Sequence, residues 1–403
     1  MIKTRRVVQL ATIVLVIVAV FAVGANCERW CPFGGVEALY TYCTSGDMLC
    51  SLGVSNFFIL GGVLATALLV RRAFCGYLCP IGTISDWLHA LGQRLGIKCG
   101  QVHGTIDRIL SLGKYAVLAV VLIATWRAGE LVFRGYDPCY ALISRHGTDI
   151  TWWAYAISAV IVVVSLFIAL PFCRWFCPLA AVLSPLSRFG LMRVKRDPEG
   201  CTDCGVCSKH CPVAIPVHQV EQVTAARCIS CLSCVESCPT NRKQGSSLVW
   251  GPPGRTNRRW PQIALVAILL LCTTTAVAAS YLFPMPSFVR TRGDRPDGVA
   301  TVELQVKDLT CRGRANLFFY FLERDDMYQI PGYFKVEAWP DPDLADVRIT
   351  YDPSLSDEAA IKRAITEPYF DMTADFWRTS PFRIEGYDPL ELDMGILEGI
   401  LDE

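Results

Sequence analysis

The sequence predicts an α-helical integral membrane protein with a cysteine-rich insertion and a C-terminal α+β domain. Three observations predict it. Near-continuous apolar runs occupy roughly residues 7–25, 54–70, 108–126, 150–172 and 261–283, each close to the twenty or so residues a helix needs to cross the hydrocarbon. Eight cysteines fall within residues 201–238 in two copies of one spacing. Beyond residue 284 apolar and polar residues alternate, with helical stretches between. Composition agrees: of 403 residues 52% are hydrophobic and 19% charged, too apolar for an ordinary soluble chain.

The runs give five spans, and an internal two-fold repeat organises four of them. A shift of 98 residues lays the second run on the fourth and "CGYLCP" at 75–80 on "CRWFCP" at 173–178, while a shift near 101 lays the first run on the third. Each half reads helix, loop, helix, C-x-x-x-C-P, as in membrane proteins built around a pseudo-two-fold axis. The first run follows Lys3, Arg5 and Arg6 like a signal peptide. Its counterpart in the second half marks it instead as part of the architecture.

Lys and Arg favour the cytoplasmic side of short loops. Three basic residues precede the first run, five lie in 71–108 and twelve in 173–260, against one in 26–53 and three in 127–149. The N-terminus, both C-x-x-x-C-P motifs and 173–260 are therefore expected inside a bacterial inner membrane, and everything after residue 284 in the periplasm. Lys114, the one charge within a span, is expected to snorkel. Trp126, Trp152 and Trp153 suit an interfacial belt.

The cysteine-rich segment carries the strongest chemical signal. "CTDCGVCSKHCP" and "CISCLSCVESCP" repeat the C-x₂-C-x₂-C-x₃-C-P spacing of a two-cluster ferredoxin, in which the fourth cysteine of each run reaches across to the other cluster. One [4Fe–4S] cluster then takes Cys201, Cys204, Cys207 and Cys238, and the other takes Cys228, Cys231, Cys234 and Cys211. Zinc and disulfides are the competing readings. A reducing cytoplasm disfavours disulfides, and zinc does not call for two Cys-Pro endings.

Cys75 and Cys79, like Cys173 and Cys177, stand at i and i+4, on one face of a helix that Pro80 and Pro178 disturb. Two such pairs facing each other would supply four soft thiolates to a further iron–sulfur cluster or to copper; simple packing is the alternative. In the first outer loop Cys27 and Cys31 form a third C-x-x-x-C-P, followed by Cys43 and Cys50, which make either two disulfides or an outer metal site. Cys99 and Cys272 read as structural. None of His89, His103, His146, His210 and His218 pairs in a haem-like pattern, so no haem is expected. Asp86 and His89, at i and i+3, suit either a quinol headgroup or a solvated helix face.

Together these motifs resemble the membrane polyferredoxin family of the NapH, NosR and CcoG (FixG) type, over roughly residues 1–283. The resemblance implies electron transfer between a quinol or cytoplasmic donor and a periplasmic redox protein, or, in the oxidase-assembly branch, reduction of copper for metalloenzyme assembly. A redox sensor is a third reading. Two departures stand out: there is no large N-terminal flavin-binding domain, and the C-terminal domain does not read as immunoglobulin-like.

That domain, residues 284–403, reads "TVELQVKDL", "RANLFFYFLERDD", "YFKVEAW", "DVRITYDP", "SDEAAIKRAITEP" and "PFRIEGY", giving a βαββαβ order, with Ser354 and Asp357 placed like a capping box. It resembles the heavy-metal-associated fold. Its loop "LTCRGRAN" keeps Cys311 but has Arg314 at the second ligand position, so a docking module is the favoured reading over a copper site. With 24 acidic and 13 basic residues it suits a basic partner. No nucleic-acid motif is present.

The expected fold is thus a five-span helical membrane protein with an inserted 2[4Fe–4S] ferredoxin domain and a C-terminal ferredoxin-like α+β domain. Its expected segments are 1–98 and 99–192 for the two membrane repeats, 193–245 for the ferredoxin, 246–283 for the linker and fifth span, and 284–403.

Overall fold

The computed structural model describes residues 2–23, 30–45, 52–102, 104–128, 132–143, 150–243, 247–252, 260–283, 286, 288–292, 298–309, 312–324, 330–339, 344–371 and 376–387. They fall into two compact units, Met1–Glu37 with Ser55–Leu282 and Ala38–Val54 with Phe283–Glu403. Cys27, Cys50, Cys311, His103 and His146 lie outside the described residues.

The first unit begins with α1 (Ile2–Ile17), which continues as a π-helical turn over Val18–Ala22. Then come α2 (Pro32–Ser45), which is divided between the units after Glu37, α3 (Leu52–Val70), which joins the first unit from Ser55, α4 (Ala73–Tyr77), α5 (Pro80–Arg94), α6 (Gly104–Ala128), α7 (Pro138–Ile143), α8 (Trp152–Phe167), α9 (Pro171–Trp175) and α10 (Pro178–Arg188). Among the described residues three helices are long and apolar enough to cross a membrane: Thr4–Ala22, Gly104–Arg127 and Gln262–Leu282. The other two runs make shorter apolar helices, Ser55–Val70 and Trp152–Phe167. The run expected to reach residue 172 stops at Phe167 for a local reason. Leu170 precedes Pro171, whose ring crowds the residue before it out of the right-handed helical region, and it adopts φ 53°. Arg71, at φ 62°, breaks the chain at the end of α3.

Lys114 does not snorkel. It is 6% exposed, and its Nζ donates to Ser184 Oγ at 2.8 Å. Asp86 is likewise committed, paired with Arg5 at 3.3 Å and Arg6 at 3.7 Å, so it is not a free acceptor for a quinol headgroup. Cys99 donates its thiol to the Leu166 carbonyl at 3.5 Å.

The cysteine-rich segment is held at both ends by a two-stranded antiparallel sheet, β1 (Arg193–Arg196) on β2 (Leu248–Gly251). Between them lie α11 (Val206–Lys209), α12 (Ser233–Ser237) and α13 (Pro239–Lys243), and α14 (Gln262–Leu282) follows. α14 packs on α3 at Gly62, where a Cβ would stand 2.6 Å from Ala276 Cβ. One apolar core runs from Val63 and Ala67 through Tyr77, Leu183 and Val194 to Trp250 and Leu265. The helices and the cysteine-rich segment therefore share their interior.

A buried carboxylate ties them further. Asp107, at the start of α6, accepts from Arg174 Nη2 at 2.6 Å, Trp175 Nε1 at 2.9 Å and Arg227. Arg227 also donates to the Ala214 carbonyl at 3.1 Å, so one carboxylate joins α6, α9 and the loop before Cys228.

In the second unit β4 (Ala300–Lys307), α15 (Arg312–Leu322), β5 (Tyr333–Trp339), β6 (Ala345–Tyr351), α16 (Glu358–Thr366) and β9 (Arg383–Ile384) follow the βαββαβ order, with β3 (Phe288–Thr291) added at the edge. The antiparallel sheet runs β3-β5-β6-β4-β9. An unexpected hairpin, β7 (Tyr369–Asp371) with β8 (Phe376–Arg378), precedes the last strand, which is shorter than "PFRIEGY" suggests. Phe318 and Phe321 meet Phe382 edge to face at 5.3 and 5.6 Å. The N-cap of α16 is Asp357, which accepts from Ala360 N at 2.7 Å, whereas the Ser354 hydroxyl turns away to Asp352 at 2.6 Å. The expected Ser354–Asp357 capping box does not form.

Removing Asp107 leaves Arg174, 4% exposed, without its counter-charge, a change that costs about 3–5 kcal/mol when a buried pair is broken. Asp107→Ala is expected to lower the thermal midpoint of the detergent-purified protein sharply, and an unchanged midpoint would show that the carboxylate is not what joins these elements.

Candidate redox centre

The eight cysteines of the insertion line two cavities. Cys201, Cys204, Cys207 and Cys238 line one. Cys211, Cys228, Cys231 and Cys234 line the other. The backbone explains the grouping. Asp203 and Gly205 flank Cys204 with φ of 51° and 68°, and Ser230 and Leu232 flank Cys231 with 48° and 60°. Paired left-handed residues turn the chain sharply on both sides of the middle cysteine and point three thiols into one space. Short helices α11 and α12 then carry Cys211 and Cys238 across to the opposite cavities.

The cavities differ in surroundings. Cys204 is exposed, and the Val206 N–H and Thr202 hydroxyl hold its thiol below the usual range. Cys211 and Cys234 are buried; burial first, and then the neighbouring Cys231, pushes the Cys211 thiol up to about 12. The Ile215 N–H also donates to Cys211 Sγ at 3.4 Å. Among the described residues, no three Cys, His, Asp or Glu side chains converge closely enough to hold a single metal ion; here the thiols are spread over cavity walls.

The two C-x-x-x-C-P stretches have the same local structure, and it differs from the expected helix face. Cys75 and Cys173 sit within α4 and α9. Cys79 and Cys177 have left the helix at φ/ψ of −69°/122° and −67°/117°, as N-caps of α5 and α10, with Pro80 and Pro178 at N1. Proline has no N–H to donate there and its φ is already helical. The second thiol of each pair therefore meets a helix N-terminus: Cys79 faces the Gly82 and Ile81 N–H groups, and Cys177 that of Ala180. Gly82 is required for this turn, because a Cβ would lie 2.3 Å from the Cys75 carbonyl.

The two pairs come together. Cys173 lies in the electrostatic reach of Cys79, Cys177 and Cys75, and one guanidinium serves both halves. Arg72, 1% exposed, donates from Nη2 to the Cys173 carbonyl at 2.9 Å and lies beside Cys75, Cys173 and Cys177. Its Nε has no hydrogen-bond partner, a leftover donor that suits an anionic occupant held by thiolates.

The second cavity abuts this group. The Arg72 N–H donates to the Cys228 carbonyl at 3.4 Å, Tyr77 Oη to the Ser230 carbonyl at 3.5 Å and Gln262 Nε2 to Tyr77 Oη at 2.9 Å. A Cβ on Gly76 would stand 3.1 Å from the Ile229 carbonyl. The Cys228–Cys231 turn thus rests on α4, which carries Cys75. Sequence reasoning missed Arg71, Arg72 and Tyr77. A signal existed in two arginines closing an apolar run directly before the motif.

Cys31, just before α2, and Cys43 within it have free thiols, and Cys139 stands in α7. With Cys27 and Cys50 outside the described residues, the outer cysteines form no described centre.

Residues 52–98 and 150–197 match a family model described as a 4Fe–4S binding domain, and residues 193–239 match one described as a 4Fe–4S dicluster domain. The first covers Cys75, Cys79, Cys173 and Cys177 and none of the other eight. Among relatives, YccM of Escherichia coli is 33% identical over 53% of this chain and 61% of its own length. The methylamine utilization ferredoxin-type protein MauN of Methylobacillus flagellatus is 30% identical over 45% and 60%, and the ferredoxin-type protein NapH of Haemophilus influenzae 30% over 44% and 62%. The match thus spans about three fifths of each of these relatives. No solved structure matches.

Gly76→Leu forces a side chain against the Ile229 carbonyl, an overpacking worth about 1–3 kcal/mol. It is expected to loosen the Cys228–Cys231 turn, read as faster alkylation of Cys228 in iron-free protein; alkylation at the wild-type rate would mean that α4 does not support this turn.

Proposed function

We infer that this chain, which is of the membrane polyferredoxin type, carries single electrons between a cytoplasmic or quinol donor and a periplasmic redox protein through three thiol-built sites in series. Four-iron clusters held by cysteine thiolates exchange one electron at a time. Cys201, Cys204, Cys207 and Cys238 would hold one, Cys211, Cys228, Cys231 and Cys234 a second, and Cys75, Cys79, Cys173 and Cys177 a third. The observation that carries the reading is the seating of the Cys228–Cys231 turn on α4 through Gly76, Tyr77 and the Arg72 N–H, which puts the second set next to the four converging thiols.

The residues divide the work. Cys204 stands at the exposed end, where a soluble donor can approach. Cys211 and Cys234 are shielded from water, and the helix N-termini at Cys79 and Cys177, with Arg72, offset negative charge on four thiolates. Five crossings of an inner membrane would use the three long helices and the two shorter apolar ones, and the basic loops favour the N-terminus and the cysteine-rich segment inside. The acidic second unit then lies in the periplasm as a docking module for a basic acceptor.

Anaerobically purified protein is expected to hold about eight iron atoms in the two ferredoxin sets, with more if the third set is filled. Cys204→Ser and Cys231→Ser should each lose one EPR signal and keep the other; iron near zero with stoichiometric zinc would refute the assignment.

In proteoliposomes with a low-potential donor outside and ferricyanide trapped inside, Cys75→Ser and Cys173→Ser should each abolish transfer while leaving both ferredoxin signals. The double variant should cost little more than either single one, as for residues acting as a unit. Wild-type transfer in both single variants would reduce these cysteines to packing.

A further inference from the structure

Arg71 and Arg72 are adjacent in sequence and buried, at 0% and 1% exposure, yet they face different centres. Arg71 donates to the Val223 carbonyl and, at 2.8 Å, to the Ala225 carbonyl, and its guanidinium lies beside Cys228. Arg72 reaches the other way, to the Cys173 carbonyl and the thiols of Cys75, Cys173 and Cys177. A second cation supports it: Lys114, anchored on Ser184, lies near both Arg72 and Cys177.

Among the described residues neither arginine is paired with a carboxylate. Burying a guanidinium without an anion is costly. Backbone carbonyls offset part of that cost, and among the described residues the groups beside them that can carry negative charge are cysteine thiols. Arginine stays charged at any physiological pH, so each supplies a permanent positive charge to its own set.

We propose that Arg71 and Arg72 are positioning cations for two different redox centres, Arg71 for the set Cys211, Cys228, Cys231 and Cys234 and Arg72 for the set Cys75, Cys79, Cys173 and Cys177, and that each sets the reduction potential of its own centre. The inference rests on the iron–sulfur reading above. Reduction adds one negative charge to a thiolate-held centre. A fixed cation in a low-dielectric interior stabilises that charge and raises the potential. Two neighbouring residues would thus tune the step between the centres independently.

The test is an EPR-monitored redox titration of the full-length protein, purified anaerobically. Arg72→Gln is expected to shift the four-thiol centre to lower potential and leave the Cys228-containing centre in place. Arg71→Gln should do the reverse, and Arg71→Lys and Arg72→Lys should stay close to wild type. Potentials that do not move, or that move together in either variant, would overturn the division. If Arg72→Gln loses the four-thiol signal, Arg72→Lys decides: recovery near the wild-type potential supports the role of charge, and loss in both variants with intact ferredoxin signals makes Arg72 a packing residue and overturns it. Wild-type protein with two signals and no third would fail the three-site reading itself, and the Arg72 assignment with it. Unmoved potentials with all three signals present would fail only the assignment of the arginines.

Discussion

Between Val70 and Cys75 the chain leaves α3, turns through a left-handed Arg71 and starts again as α4. The first unit depends on what this break holds. Its two guanidiniums cannot reach water, so they must take backbone carbonyls and thiols as partners, and the carbonyls available belong to the loop before Cys228 and to Cys173. Satisfying two buried cations therefore draws together the cysteine-rich insertion and the second C-x-x-x-C-P stretch. Asp107 does the complementary task from the opposite sign, holding Arg174 and Arg227.

The two halves share a motif and a local fold but not their neighbours. Aligned by 98 residues, Arg72 corresponds to Leu170, Gly76 to Arg174 and Tyr77 to Trp175. The first half has a glycine where the Ile229 carbonyl approaches, so it seats the insertion through backbone. The second half has an arginine there and reaches Asp107 instead. Equivalent thiol pairs can thus present four sulfurs together while only one half takes the insertion.

The second unit has its own logic. Arg324, 4% exposed, donates to the Ala364 and Pro368 carbonyls at 3.0 and 2.7 Å and so closes the C-terminal end of α16. Asp357 caps the other end. A short helix with a strongly apolar face is held there by a cap at each terminus and by Ile361 and Ile365 in the core.

Spacing along the chain by itself marked the thiols, because cluster-binding turns demand cysteines with two and three residues between them and proline after the last. It also marked the apolar runs, since hydrocarbon thickness sets their length, and the alternation of the C-terminal strands. It placed Cys79 and Cys177 on a helix face, where a proline at N1 instead made them caps, and it let the fourth run extend past a proline that ends it. Only the tertiary structure decided what lies between the thiol sets. Arg71, Arg72, Gly76, Tyr77 and Asp107 carry no spacing signal, because the hydrogen bonds that tie them into the fold reach partners from 67 to 185 residues away along the chain. A buried charge is satisfied by whichever carbonyl, carboxylate or sulfur the fold brings beside it, and that choice is made in space.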